Sequence, residues 1–140
     1  MGLPAVLLSI ALLDLKGPKW LQTVGFVMIT VMFSLMACTW NPLSNLPELL
    51  FAIYCLLLFS LSFGPNLTTY IMPARVYPKE VRTTFNGLSA AGGKLGAVVG
   101  VYMFSAIADV SSYPVVMVVS AIISLVGAVV THIYIRADET

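Results

Sequence analysis

Four stretches constrain this chain more than anything else in it. Trp20–Cys38, Leu49–Met72 and Val115–Ile135 contain no Asp, Glu, Lys or Arg, and Thr84–Ala108 contains one such residue, Lys94. Each matches the roughly 20 apolar residues that a helix needs to cross a bilayer. In lipid every backbone N–H and C=O must be satisfied within the protein, which leaves helices or closed barrels. Unbroken apolar runs, rather than alternating ones, select helices. The expectation is therefore an all-α, polytopic membrane protein with helices near 20–38, 49–72, 84–108 and 115–135. Charged residues make up 9% of the chain, against about 25% in soluble domains, which agrees with a chain built for the lipid bilayer.

Leu3–Leu13 is apolar but too short to span, and reads as the end of a helix whose beginning is missing. Met1–Asp14 has neither a basic leader nor a clean cleavage site, so no secretory signal is expected. Asp14–Lys19 is a charged turn with Gly17-Pro18 as breaker. Residues 39–48 (TWNPLSNLPE) and 73–83 (PARVYPKEVRT) read as loops, and 109–114 as a tight turn. Cys38 and Cys55 lie in apolar runs and read as small hydrophobes rather than a disulfide.

Basic residues give the orientation. Lys16, Lys19, Arg75, Lys79, Arg82 and Arg136 all fall in the first turn, the 73–83 loop and the tail. The segments of opposite parity carry no Lys or Arg. Excess positive charge marks cytoplasmic loops, so loop 73–83 and the C-terminus are expected on the cytoplasmic side.

Two features break the apolar pattern, and both lie in Gly64–Gly100. In the second span Gly64-Pro65 interrupts the helix, because Pro65 cannot donate to the carbonyl of Leu61. Ser62, Asn66, Thr69 and Tyr70 follow at spacings that share one helical face. Asn66 lies roughly 8 Å past the span centre at 1.5 Å per residue. Interrupted helices of this kind build substrate sites in transporters; the plainer reading is a kinked helix whose polar face packs on neighbours.

In the third span, Lys94 sits roughly 3 Å from the span centre. A cation at that depth needs an anion, either a carboxylate on another helix or a bound substrate. The chain's own acids all lie at helix ends or in loops. Gly92, Gly96 and Gly100 form a small-residue ridge on which another helix can pack, with Lys94 turned about 200° away at 100° per residue. His132 near the end of the last span reads as a packed or interfacial residue rather than a proton relay. There is no metal-ligand cluster, phosphate-cradling glycine loop or Ser/His/Asp set, so neither an enzyme nor a cofactor is indicated, and the net charge of +1 does not suggest nucleic acid.

At these same residues the sequence resembles the phosphate:proton symporter family of the major facilitator superfamily. The matching residues are GPN-x-TT (Gly64 to Thr69), P-A-x-x-Y-P (Pro73 to Pro78), R-x-T (Arg82 to Thr84) and G-L-S-A-A-x-G-K-x-G-A (Gly87 to Ala97), within a stretch of about a quarter of the chain. Asp14, Gly17 and Lys19 resemble a degraded copy of the superfamily's cytoplasmic D-x-x-G-R-K loop. The resemblance implies that the four spans are the ninth to twelfth of twelve, with Leu3–Leu13 the end of the eighth. It implies a plasma-membrane carrier that moves inorganic phosphate with protons by alternating access, completed by helices outside this chain. It makes Asn66 a phosphate ligand and Lys94 a cation of the pathway; Thr69 and Tyr70 are pathway candidates from their place on the Asn66 face of the helix. Arg75 and Arg82 fall in the gating loop; Arg82 matches the family, whereas Arg75 replaces an acid that usually joins the cytoplasmic latch. A sugar or organophosphate carrier of the same superfamily, or a four-span structural protein, are the alternatives. A cysteine replacing Lys79 is expected to label only from the cytoplasmic side and one replacing Asn45 only from outside. Labelling of both from one side would contradict four crossings.

Overall fold

The computed structural model describes residues 2–43 and 46–135, without the side chains of 41–43. Six helices follow one another: α1 (Gly2–Lys16), α2 (Pro18–Leu43), α3 (Pro47–Ser62), α4 (Pro65–Val76), α5 (Arg82–Val110) and α6 (Tyr113–Tyr134). No strand occurs among the described residues. Pro18–Trp40, Pro47–Val76, Arg82–Val110 and Tyr113–Tyr134 are each long and apolar enough to cross a membrane. The second of these is α3 and α4 in succession, interrupted at Gly64. Asn45, and the Arg136–Thr140 tail whose Arg136 enters the charge asymmetry, lie outside the described residues.

Helices extend further than the apolar runs. Residues 39–48 were expected to form a loop, but α2 continues through Leu43. The Thr39 hydroxyl bonds back to the Leu35 carbonyl one turn earlier, which removes its cost in a helix. The Trp40 ring packs on Tyr113 with centroids 5.6 Å apart, tying this end of α2 to the start of α6. The expected loop 73–83 shortens in the same way. Helix α4 runs through Pro73 to Val76 and ends where the Tyr77 N–H bonds the Pro73 carbonyl at 3.2 Å, and α5 already begins at Arg82.

Helix α2 is the hub, in contact with α1, α3, α4 and α6. Its most extensive neighbour is α6, which turns a face of small residues toward it: Ala121, Ser124, Ala128 and Thr131 are all buried. Spacings of three, four and three residues keep them on one face, and small residues let two helices approach closely. The Ser124 hydroxyl donates to the Phe26 carbonyl at 3.1 Å. Gln22 Nε2 donates to Thr131 Oγ1 at 3.2 Å, and that hydroxyl donates to the Gly127 carbonyl at 2.8 Å. Interhelical hydrogen bonds in membrane proteins average about 0.6 kcal/mol, so these bonds set register more than they add stability.

The core lies beside the interruption. Ala5 of α1 and Leu21 of α2 are fully buried against Phe63, and Leu12, Leu13, Val24, Met28 and Phe59 pack around them. Gly64 holds φ 81° and ψ −90°, a region that strains any residue with a Cβ. A Cβ there would also stand 2.6 Å from the Leu21 carbonyl oxygen. Both costs fall on the same substitution. Gly64→Ala is expected to lower stability by at least about 1–3 kcal/mol from backbone strain, read as a lowered thermal midpoint in detergent. An unchanged midpoint would show that the interruption is not clamped in this way.

Candidate functional site

The polar face predicted for the second span is divided by the interruption. Ser62 ends α3 and lies toward α1, where a Cβ on Gly2 would sit 3.6 Å from its hydroxyl. Asn66, Thr69 and Tyr70 belong to α4. Thr68, between them, is fully buried, and its hydroxyl donates to the Gly64 carbonyl at 2.8 Å. That carbonyl also receives the N–H groups of Thr68 and Leu67, at 2.9 and 3.1 Å. Three donors on one carbonyl restart the helix directly after the defect.

Between α4 and α5 lies an open cleft of about 840 Å³. Thr69, Tyr70 and Pro73 line it from α4, and Tyr77 from just beyond the end of that helix. Asn86, Ser89, Gly93, Lys94 and Ala97 line it from α5, and Gln22 of α2 reaches it from behind. Lys94 thus stands across the cleft from Thr69 and Tyr70. No carboxylate lines the cleft among the described residues. Asn66 is exposed but does not line it. It sits one turn closer to the interruption, on the helical face that carries Thr69 and Tyr70, and Thr69 Oγ1 reaches its carbonyl at 3.4 Å.

At the far end of the cleft a short connection, residues 77–81, joins its two walls. Arg82 Nε donates to the Tyr77 carbonyl at 3.3 Å. The Tyr77 ring stacks on Phe85 with centroids 5.0 Å apart, and its hydroxyl comes within 3.5 Å of Ser89 Oγ. Of the two expected gating residues, Arg82 is therefore half-buried and braces the α4–α5 turn. Arg75 is exposed in the last turn of α4, where a cation is favoured by the helix dipole.

Two features were not anticipated. Helix α5 packs on α4 and α6, yet none of its residues is buried. Among the described residues, nothing outside α5 comes within 4 Å of where a Cβ would stand on Gly92 or Gly96, and at Gly100 only Phe104 of the same helix does. The small-residue ridge is thus left open among the described residues. Gln22 was also not singled out. Its Oε1 is buried without a hydrogen-bond partner. Thr131 spends its proton on Gly127, so it can only accept from Gln22, which fixes the amide with its oxygen unpaired. A lone glutamine in a long uncharged run was the signal available in the sequence.

These features define a helical, polytopic membrane protein with an interrupted span beside a cation-bearing cleft. The chain belongs to the Major Facilitator Superfamily, whose family model matches residues 2–140. It is 38% identical over 135 residues to the inorganic phosphate transporter PT2 of Toxoplasma gondii, covering 96% of this chain and 24% of that protein. It is 33% identical over 132 residues to the probable inorganic phosphate transporter 1-6 of Arabidopsis thaliana, covering 91% of this chain and 25% of the relative. Against the repressible high-affinity phosphate permease of Neurospora crassa it is 40% identical over 99 residues, 71% of this chain and 17% of the permease. The chain therefore spans about a quarter or less of the length of these relatives. No solved structure matches it.

Proposed function

We propose that this chain is the C-terminal part of a twelve-helix transporter that carries inorganic phosphate into the cytoplasm with protons, by alternating access. The α4–α5 cleft is one wall of its pathway. The observation that carries this reading is Lys94, held on an apolar helix and lining a cleft that offers it no carboxylate among the described residues. A cation so placed attracts an anion, and an oxyanion can take the ammonium together with neighbouring hydroxyl donors. Thr69 and Tyr70 supply such hydroxyls on the facing wall. Asn66, one turn nearer the interruption, adds an amide on the same face and completes a polar track along α4.

The three relatives described above bear names of phosphate transporters or permeases, which supports phosphate over a sugar or organophosphate. A four-span structural protein would gain nothing from a lysine in the cleft. The positive-inside pattern supports a cytoplasmic α4–α5 connection, with Arg75 and Arg82 at the cytoplasmic gate; the plasma membrane is the location that goes with uptake into the cell. The open face of α5 supports further helices of the same transporter as its neighbours. The chemistry is binding and release without covalent change, which fits a carrier rather than an enzyme.

The test is Lys94→Ala in the complete transporter. Uptake of labelled phosphate is expected to fall to background while surface expression stays at the wild-type level. Lys94→Arg should fail as well, because a broad planar guanidinium does not replace a compact ammonium. If Lys94 only neutralised a structural acid, its removal would leave that acid unpaired and cost about 3–5 kcal/mol. Neutralising both groups would then restore folding and uptake together. Normal uptake by Lys94→Ala at wild-type surface level would refute the reading.

A further inference from the structure

The cleft has two ends. At one, Arg82, Tyr77 and Phe85 tie α4 to α5. At the other, α4 begins at the interruption, and what holds it there comes from α1 and α2. Ser9 of α1 is fully buried. Its hydroxyl accepts the Gly64 N–H at 3.2 Å and donates to the Ala5 carbonyl at 2.8 Å. The Gly64 N–H has left the helical ladder, since the preceding Phe63 N–H makes the last bond of α3, to Phe59 at 2.8 Å. In a water-poor interior an unsatisfied N–H is costly, and Ser9 removes that cost at one backbone orientation.

Gly25 of α2 fixes the same point sterically. A methyl group on it would stand 2.2 Å from Pro65 Cδ and 2.9 Å from the Phe63 carbonyl oxygen. Neither the proline ring nor the backbone can yield as a flexible side-chain tip would. The backbone of α2 therefore touches the first residue of α4 directly.

We infer that Ser9 and Gly25 are positioning residues of the cleft. They anchor the first turn of α4 and thereby set the separation of Thr69 and Tyr70 from Lys94, on which the affinity for an oxyanion depends. Neither residue touches the cleft. Their effect passes through a helix of 12 residues whose other end is already pinned, so a shift at Gly64 is carried along the wall rather than absorbed by a free end. This inference rests on the cleft being the phosphate pathway.

The experiment uses the complete transporter with Ser9→Ala, Ser9→Thr and Gly25→Ala. Phosphate uptake is measured per molecule at the cell surface, and spin labels on cysteines at Ile71 and Val98 report the α4–α5 separation. Ser9→Ala is expected to raise KM for phosphate about three- to tenfold, the range of one lost hydrogen bond, and Gly25→Ala, which forces Pro65 away from α2, to raise it at least as far, each with kcat within about twofold. Both should shift or broaden the label distance, and Ser9→Thr, which keeps the hydroxyl, should stay near the unmodified protein in both readouts. A purely structural role would lower the amount of folded protein and leave KM unchanged. Unchanged KM in Ser9→Ala and Gly25→Ala overturns the inference whether or not the distance moves, and so does an unchanged distance. Absence of phosphate uptake by the unmodified transporter would instead be a failure of the functional reading, and is told apart on that ground.

Discussion

The rest of the structure depends on one backbone group, the N–H of Gly64. A chain in lipid cannot leave a peptide donor unpaired, and a proline one residue later ensures that the ladder breaks here. Ser9 accepts that donor from α1, and Gly25 lets α2 come close enough to hold the turn. The buried cluster of Ala5, Leu21 and Phe63 surrounds the same spot. A defect that would be costly on an isolated helix is therefore the point at which four helices are assembled. It is also what separates α4 from α3 and aims it along α5.

That arrangement explains why the chain looks uneven in its packing. The α2–α6 pair is close, closed by small residues and by bonds from Gln22 and Ser124. Helix α5 is held at the α4 turn and against α6 but presents no buried residue. The closely packed part fixes the position of α4, and the cleft is the space between this fixed wall and the more open one. Lys94 lies on the open wall, with a glycine beside it and an alanine three residues on, so little side-chain bulk crowds it. The Gly92/Gly96/Gly100 ridge, turned about 200° away from it around α5, supplies a surface at which another helix can approach.

Much of this was legible in the sequence, for definite reasons. The four spans were visible because bilayer thickness fixes helix length. The interruption was visible because Gly64-Pro65 removes a donor, and Lys94 because charge at that depth is rare. Helix ends were misjudged where polar residues satisfied themselves within the helix, as Thr39 does on Leu35, so polarity no longer marked a loop. The clamp was not legible. Ser9 is one hydroxyl in a short apolar run, and Gly25 one glycine in another, and nothing local says that they meet at Gly64. The partner face of α6 was hidden for a related reason: a spanning helix is apolar all round, so periodicity does not show which side packs. The spacing of Ala121, Ser124, Ala128 and Thr131 carried that information, but the more conspicuous glycines of α5 drew the small-residue argument to a helix that uses them for no close contact among the described residues. Asn66 and the cleft diverge for the same reason as the stripe: helical spacing placed the residues on one face but could not show where α5 leaves that face.

The central claim is that phosphate occupies the space between α4 and α5. The most direct measurement is ligand protection of a cleft position in the complete transporter. A cysteine replacing Ala97 lies on the Lys94 wall without altering a polar group, and its alkylation by a small water-soluble thiol reagent can be timed in membrane vesicles. The account predicts that phosphate slows the reaction in a saturable way, while chloride at equal ionic strength does not. Alkylation at the same rate in phosphate and in chloride would contradict it.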